Sequence, residues 1–281
     1  MPRDIKELLA EVEKNGFAIG SPIPIDGATA ELFGNLQPVH PDQCLLHYMP
    51  VRRFESLIAK NALYLRRLDL FEDQFEGKLP EANDSKISEF TAQFSRQFGM
   101  TEKNIEAWKH FITVTMRKHT FVHCWFASEQ EDPTMWKDYA DAGQGVCIRT
   151  TAGQLAKSLT CPEHLGLDLR RVTYTDETEA LPEIMACLPA GRKQSRHEFV
   201  REKEVRLIAT VTEQAWARGF DTPDREPPDH QLITVNPATL VEAVYLGQQM
   251  SQEAVKKVER MANEAVGRQV ARRSACSTPT E

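Results

Sequence analysis

Apolar residues fall into two rhythms along this chain of 281 residues. Alternation predicts strands, and a spacing of three and four predicts helices. The stretch 44–48 reads as the first strand. A helix follows over 51–60, with Val51, Phe54, Leu57 and Ile58 on one side. Residues 62–68 read as a second strand, followed by a charged loop over 69–78. Two polar helices striped with Ile87, Phe90, Phe94 and Phe98 fill 80–118. A strand over 120–126 comes next. Pro133 suits the first turn of a short helix that runs to Tyr139. Gly143 and Gly145 stop it, and the chain returns as a strand over 146–150. Further strands are expected at 171–175, 199–208, 231–235 and 241–246. Ser251 caps a last helix, with Glu253 in its first turn and Val255, Val258, Met261 and Val266 as its apolar side.

The termini read differently. An amphipathic helix covers 5–14, with Ile5, Leu8, Leu9 and Val12 on one face and Gly16 as its stop. A Pro- and Gly-rich arm continues to 41, and a disordered tail is expected over 269–281. Between them, 42–268 forms a single domain. Strands and helices interleave without a strict βαβ rhythm, which predicts an α+β fold: a mixed, mostly antiparallel sheet with flanking helices.

Composition narrows the function. Lys plus Arg number 34 and Asp plus Glu 41, a net charge of −7, which argues against broad nonspecific nucleic-acid binding. No apolar run approaches the roughly 20 residues of a membrane helix. Residues 1–7 carry no apolar signal core, so a cytoplasmic protein with no membrane partner is expected. The six cysteines form no C-x-x-C pair, so no structural metal is expected. Cys44, Cys124 and Cys147 lie in strand-like apolar runs and read as core.

The most unusual row is Glu202-x-Glu204-x-Arg206 within the strand expected at 199–208. Residues two apart share a strand face, so two carboxylates and a guanidinium would stand in line. Two neighbouring carboxylates raise one another's pKa, and Arg206 offsets that. The row suits stabilisation of a cation-like transition state at a sugar C1; a structural ion-pair ladder reads equally well. His47-Tyr48 at the end of the first strand suits a ribose or amide, or a half-buried polar pair. Trp125, Trp136 and Tyr139 form an aromatic wall or plain core. Ser128 positions a ligand or starts a turn. Gly143-x-Gly145 lacks the rest of a dinucleotide fingerprint and reads as a turn. Asp73 and Glu76 match no metal-loop spacing.

Taken in order, five segments resemble one family. They are Leu46-His47-Tyr48, the loop from Phe71 to Gly77, Cys124-Trp125-Phe126-Ala127-Ser128, Met135-Trp136-x-x-Tyr139-Ala140 with Gly145-Val146, and Glu202-x-Glu204-x-Arg206. The chain resembles the bacterial domain-of-unknown-function family twenty-nine seventy-one over about 44–262. It departs in Glu72-Asp73-Gln74-Phe75, where members carry Asn-Asp-Pro-Phe, and in Trp125, inserted within Cys-x-Phe. The family has no settled activity, so the likeness implies a fold group and no reaction.

A looser layout is similar to ADP-ribosyltransferases. That resemblance implies NAD as cofactor, with His47 and Tyr48 holding it and Ser128 shaping its pocket. It makes Glu204 catalytic and Glu202 the residue that orients substrate. Trp136, Tyr139 and Arg206 complete the expected cofactor site. Layout alone does not establish chemistry, so three readings stay open. The first is NAD-using glycosyl transfer or hydrolysis in bacterial defence or a toxin, with a nucleotide-like ligand and a protein or nucleic-acid target. The second is a non-catalytic ligand-sensing or protein-interaction domain. The third is a metal-dependent hydrolase or nuclease using Asp73, Glu76, Glu202 and Glu204.

Overall fold

A computed structural model describes residues 39–73, 76–77, 88, 110, 114–162, 164–175, 192–194, 200–211 and 226–276. The helix expected at 5–14, nearly all of the arm and most of 80–118 lie outside the described residues. Within them the fold is α+β, with a mixed, mostly antiparallel sheet.

The first three elements follow the sequence pattern closely. β1 (Cys44–Met49), α1 (Val51–Lys60) and β2 (Ala62–Arg67) form a strand–helix–strand unit. Asn61 ends α1 in the left-handed region, φ 48°, and its N–H reaches back to the carbonyls of Leu57 and Ile58. β3 (Thr120–Ala127) and α2 (Pro133–Tyr139) come next, with Asp132 capping the Thr134 and Met135 N–H groups. β4 (Val146–Thr151) leads into α3 (Ala152–Ser158), which the sequence reading missed. Its start is nonetheless a capping box, in which Thr151 and Gln154 exchange side chain–backbone bonds.

The middle of the chain corrects several expectations. The strand expected at 171–175 divides into β6 (Leu165–Arg171) and β7 (Thr173–Thr175), after the short β5 (Leu159–Thr160). β8 (Arg192–Gln194) pairs with β7 in a small parallel ribbon. β9 (Glu204–Val211) begins five residues later than expected. Residues 201–202 form a turn, and Lys203 takes a left-handed φ of 42°. That reversal ends the two-residue alternation, so Glu202 does not stand in line with Glu204 and Arg206.

β10 (His230–Val235) is followed by α4 (Pro237–Leu240), and the strand expected at 241–246 starts two residues later, as β11 (Ala243–Leu246). Ser251 caps α5 (Gln252–Val266) by accepting from the Ala254 N–H. Its buried side is Val255, Val258, Ala262 and Val266, with Met261 only half-buried. The tail expected to be disordered from 269 instead continues in register as β12 (Ala271–Arg273), parallel to β11. Burial of Val270 anchors it.

The sheet forks. β9 pairs with β3 from Thr120 to Phe126 and so takes the whole of one edge. β1 and β2 must share the other edge, β1 at Phe126 and Ala127, β2 at Phe121 and Val122. Beyond β1 lie β4, β11 and β12, and beyond β2 lie β10 and β5. The main core fills the face covered by α1, α3, α4 and α5 and includes Leu45, Phe54, Trp125, Val205, Leu207 and Val258. The other face carries a second cluster of Cys44, Leu46, Tyr48, Phe126, Trp136, Cys147 and Tyr245 beneath α2. Among the described residues no helix is long and apolar enough to cross a membrane.

Candidate functional site

Alternation along β9 sends Glu204 and Arg206 to the face that also holds Phe126 and Cys124, their partners across β3. Arg206 is the centre of a buried ion cluster. Its Nε and Nη2 donate to the two oxygens of Glu204 at 2.9 and 3.1 Å, and its Nη1 donates to Glu76 Oε1 at 2.8 Å. Burial opposes the charge on Arg206, but the Glu204 and Glu76 carboxylates outweigh it and raise its pKa well above the usual value. Tyr174 adds a wall, its hydroxyl accepting the Glu204 N–H at 3.0 Å. Glu204 is therefore held face-on by a guanidinium, the geometry of a structural lock.

A cleft of about 210 Å³ opens beside this lock. Asp132, Asp138 and Glu202 line it with carboxylates, Arg201 with a guanidinium, and Met135 and Tyr139 with apolar and aromatic surface. The Tyr139 hydroxyl donates to Glu202 Oε1 at 2.8 Å. Burial first, and then the Glu202 carboxylate, raise the Tyr139 phenol, so it stays protonated and keeps donating. Tyr139 remains 44% exposed as a residue, enough to contact a ligand.

The other expected site residues disperse. Tyr48 accepts the Asp132 N–H at 2.8 Å, and its ring meets Trp136 edge-on in the second cluster. Trp136 is 1% exposed and donates its indole N–H to Glu131. Both support the loop carrying Asp132 and neither reaches the cleft surface. Ser128 closes a local turn, donating to the Gln130 carbonyl and accepting the Gln130 N–H. It is not among the residues that line the cleft. His47 points to the opposite face of β1 from Tyr48, among the main-core residues, beside His123 and Trp125. Adjacent residues on a strand cannot share a face, so His47 and Tyr48 do not hold one cofactor together.

Cys124 borders the ion cluster. Burial and then Glu204 raise its thiol well above the ordinary value, which leaves it protonated rather than nucleophilic. Among the described residues, no group of three or more His, Cys, Asp or Glu could hold a metal ion. Glu76 and Glu204, two of the four residues considered for a metal, converge on Arg206 instead.

Sequence reasoning treated Glu76 as a loop carboxylate. Nothing local links it to Arg206, 130 positions away. It also passed over Asp132, Asp138 and Tyr174. His123 carried a signal, because it stands two residues before Trp125 and so shares its face. Comparison of the chain with protein-family models, curated proteins and solved structures returned no match. The two family resemblances rest on the quoted motifs alone.

Proposed function

We propose that the chain is a cytoplasmic ligand-binding domain whose cleft at Tyr139 and Glu202 takes the positively charged end of a small molecule. The charge of the lining carries this reading: three carboxylates, Asp132, Asp138 and Glu202, stand against one guanidinium, Arg201. A cation gains Coulombic energy there, and the exposed Tyr139 ring offers its face as well. The locked Glu204 and the buried Trp136 serve as scaffold, which suits binding without catalysis.

A second reading is favoured by the Tyr139–Glu202 pair. The nicotinamide ring of NAD carries a positive charge, and a carboxylate beside its ribose C1 stabilises the oxocarbenium ion formed as nicotinamide departs. In this reading Glu202, at the cleft, takes the role that the layout resemblance gives to Glu204.

Calorimetric titration with putrescine, guanidinium, nicotinamide mononucleotide and NAD tests both. Saturable binding of cations, weakened at least tenfold in Glu202→Gln and weakened in Tyr139→Phe, supports the first reading. Neutral analogues binding as well as the cations, or no binding at millimolar concentration, defeats it. Nicotinamide release that disappears in Glu202→Gln establishes the second reading, and binding of NAD without release removes it.

A further inference from the structure

The acidic cleft holds charges of both signs along one helix. α2 follows Asp132 and ends with Asp138 and Tyr139, so the lining runs the seven residues of the helix, about 10 Å at roughly 1.5 Å per residue. Glu202 stands at the Tyr139 end, where the phenol donates to it at 2.8 Å. Arg201, its neighbour in the turn, brings a guanidinium to the same cleft.

These four charged groups are not equivalent. Asp132 Oδ1 accepts the Thr134 and Met135 N–H groups at 2.7 and 3.1 Å, so this carboxylate serves the helix as its cap. The Tyr139 hydroxyl occupies one oxygen of Glu202, and a carboxylate has about four acceptor positions, so Glu202 can take further donors. Asp138 is exposed. A guanidinium offers five N–H donors, and a carboxylate gripped side-on uses two of them. Arg201 is exposed and can therefore receive a ligand carboxylate whatever else it touches.

Charge and size together select the ligand. Three carboxylates against one guanidinium draw a cation, but a ligand bearing cations alone sets a like charge against Arg201. A ligand with a carboxylate near its ammonium meets both signs. The volume of about 210 Å³ lies below the roughly 300–1,000 Å³ of pockets that take drug-sized molecules, which suits a ligand of few heavy atoms. Met135 gives apolar surface to a short aliphatic chain. Building on the cation-binding reading above, we propose that the cleft binds a small zwitterion, an amino acid whose ammonium faces Glu202 and Asp138 and whose carboxylate is gripped by Arg201.

Ornithine is putrescine with one added carboxylate, so calorimetric titration of the full chain with this pair isolates the anionic half. Attraction for cations alone ranks the dication putrescine first. The zwitterion site ranks ornithine first, about tenfold tighter, the gain expected of one charge-assisted contact. In Arg201→Gln, at an exposed turn position, ornithine binding falls about tenfold while putrescine binding holds or tightens. Glu202→Gln weakens both. Putrescine binding as tightly as ornithine, or tighter, overturns the zwitterion and leaves the cation reading standing. A preference for ornithine that survives in Arg201→Gln also overturns it, because the carboxylate is then held elsewhere. Binding of neither compound at millimolar concentration, or binding of both that Glu202→Gln leaves unchanged, defeats the zwitterion and the cation reading together.

Discussion

Replacing Arg206 by methionine removes the cation that two buried carboxylates share. The side chains of Glu76 and Glu204 are 1% and 6% exposed, so water cannot take over the role of the guanidinium. Breaking a buried ion pair from one side costs about 3–5 kcal/mol, a large part of the roughly 5–15 kcal/mol that stabilises a typical domain. Urea unfolding at pH 7 measures the loss. The sign of its pH dependence is also set. With Arg206 gone, two charged carboxylates stay buried without their shared cation, and taking up a proton relieves that cost. The penalty is therefore full at neutral pH and fades on acidification. Neutralising the whole cluster, with Glu76→Gln and Glu204→Gln added to Arg206→Met, recovers most of the loss. A loss below about 1 kcal/mol at pH 7, or one that grows on acidification, would refute the structural lock.

Three further outcomes test other parts of the fold. His123, held by burial to a pKa of about 4 against 6.5 when free, contributes stability that is complete above pH 6.5 and lost as pH falls toward 4; the shift corresponds to about 3 kcal/mol, and His123→Gln flattens the slope of urea stability over that window. Gly247→Ala would bring a Cβ to 2.0 Å from the Gly143 carbonyl oxygen and 2.9 Å from that of Gly145. Backbone on both sides leaves no room to yield, so thermal melting should fall sharply or soluble protein should be lost. Ser251→Ala removes the cap that accepts the Ala254 N–H and lowers stability by about 1 kcal/mol, read by the same denaturation.

Local order was legible along the chain. The 51–60 helix matches its prediction because Val51, Phe54, Leu57 and Ile58 repeat at helical spacing, and the capping residue Ser251 marks the start of α5 from sequence alone. Alternation also marked Glu204 and Arg206 as neighbours on one face, and they are. The same rule failed at Glu202, because a single left-handed residue, Lys203, turns the chain before the strand starts. Propensity does not announce such a residue when it is not glycine or asparagine. The tail beyond 269 read as polar and loose, yet an open edge of β11 recruits it as a parallel strand.

The sequence by itself determined the first strand–helix–strand unit, the last helix, the α+β class and the residue types able to do chemistry, since these depend on neighbours within a turn or a strand. Only the tertiary structure decided which of them meet. Strand polarity separates His47 from Tyr48, the third partner of the ion cluster arrives from position 76, and the acidic cleft draws on two segments, 132–139 and 201–202. Those pairings depend on long-range register and on the cost of burying charge without a partner, and neither is written in any local pattern.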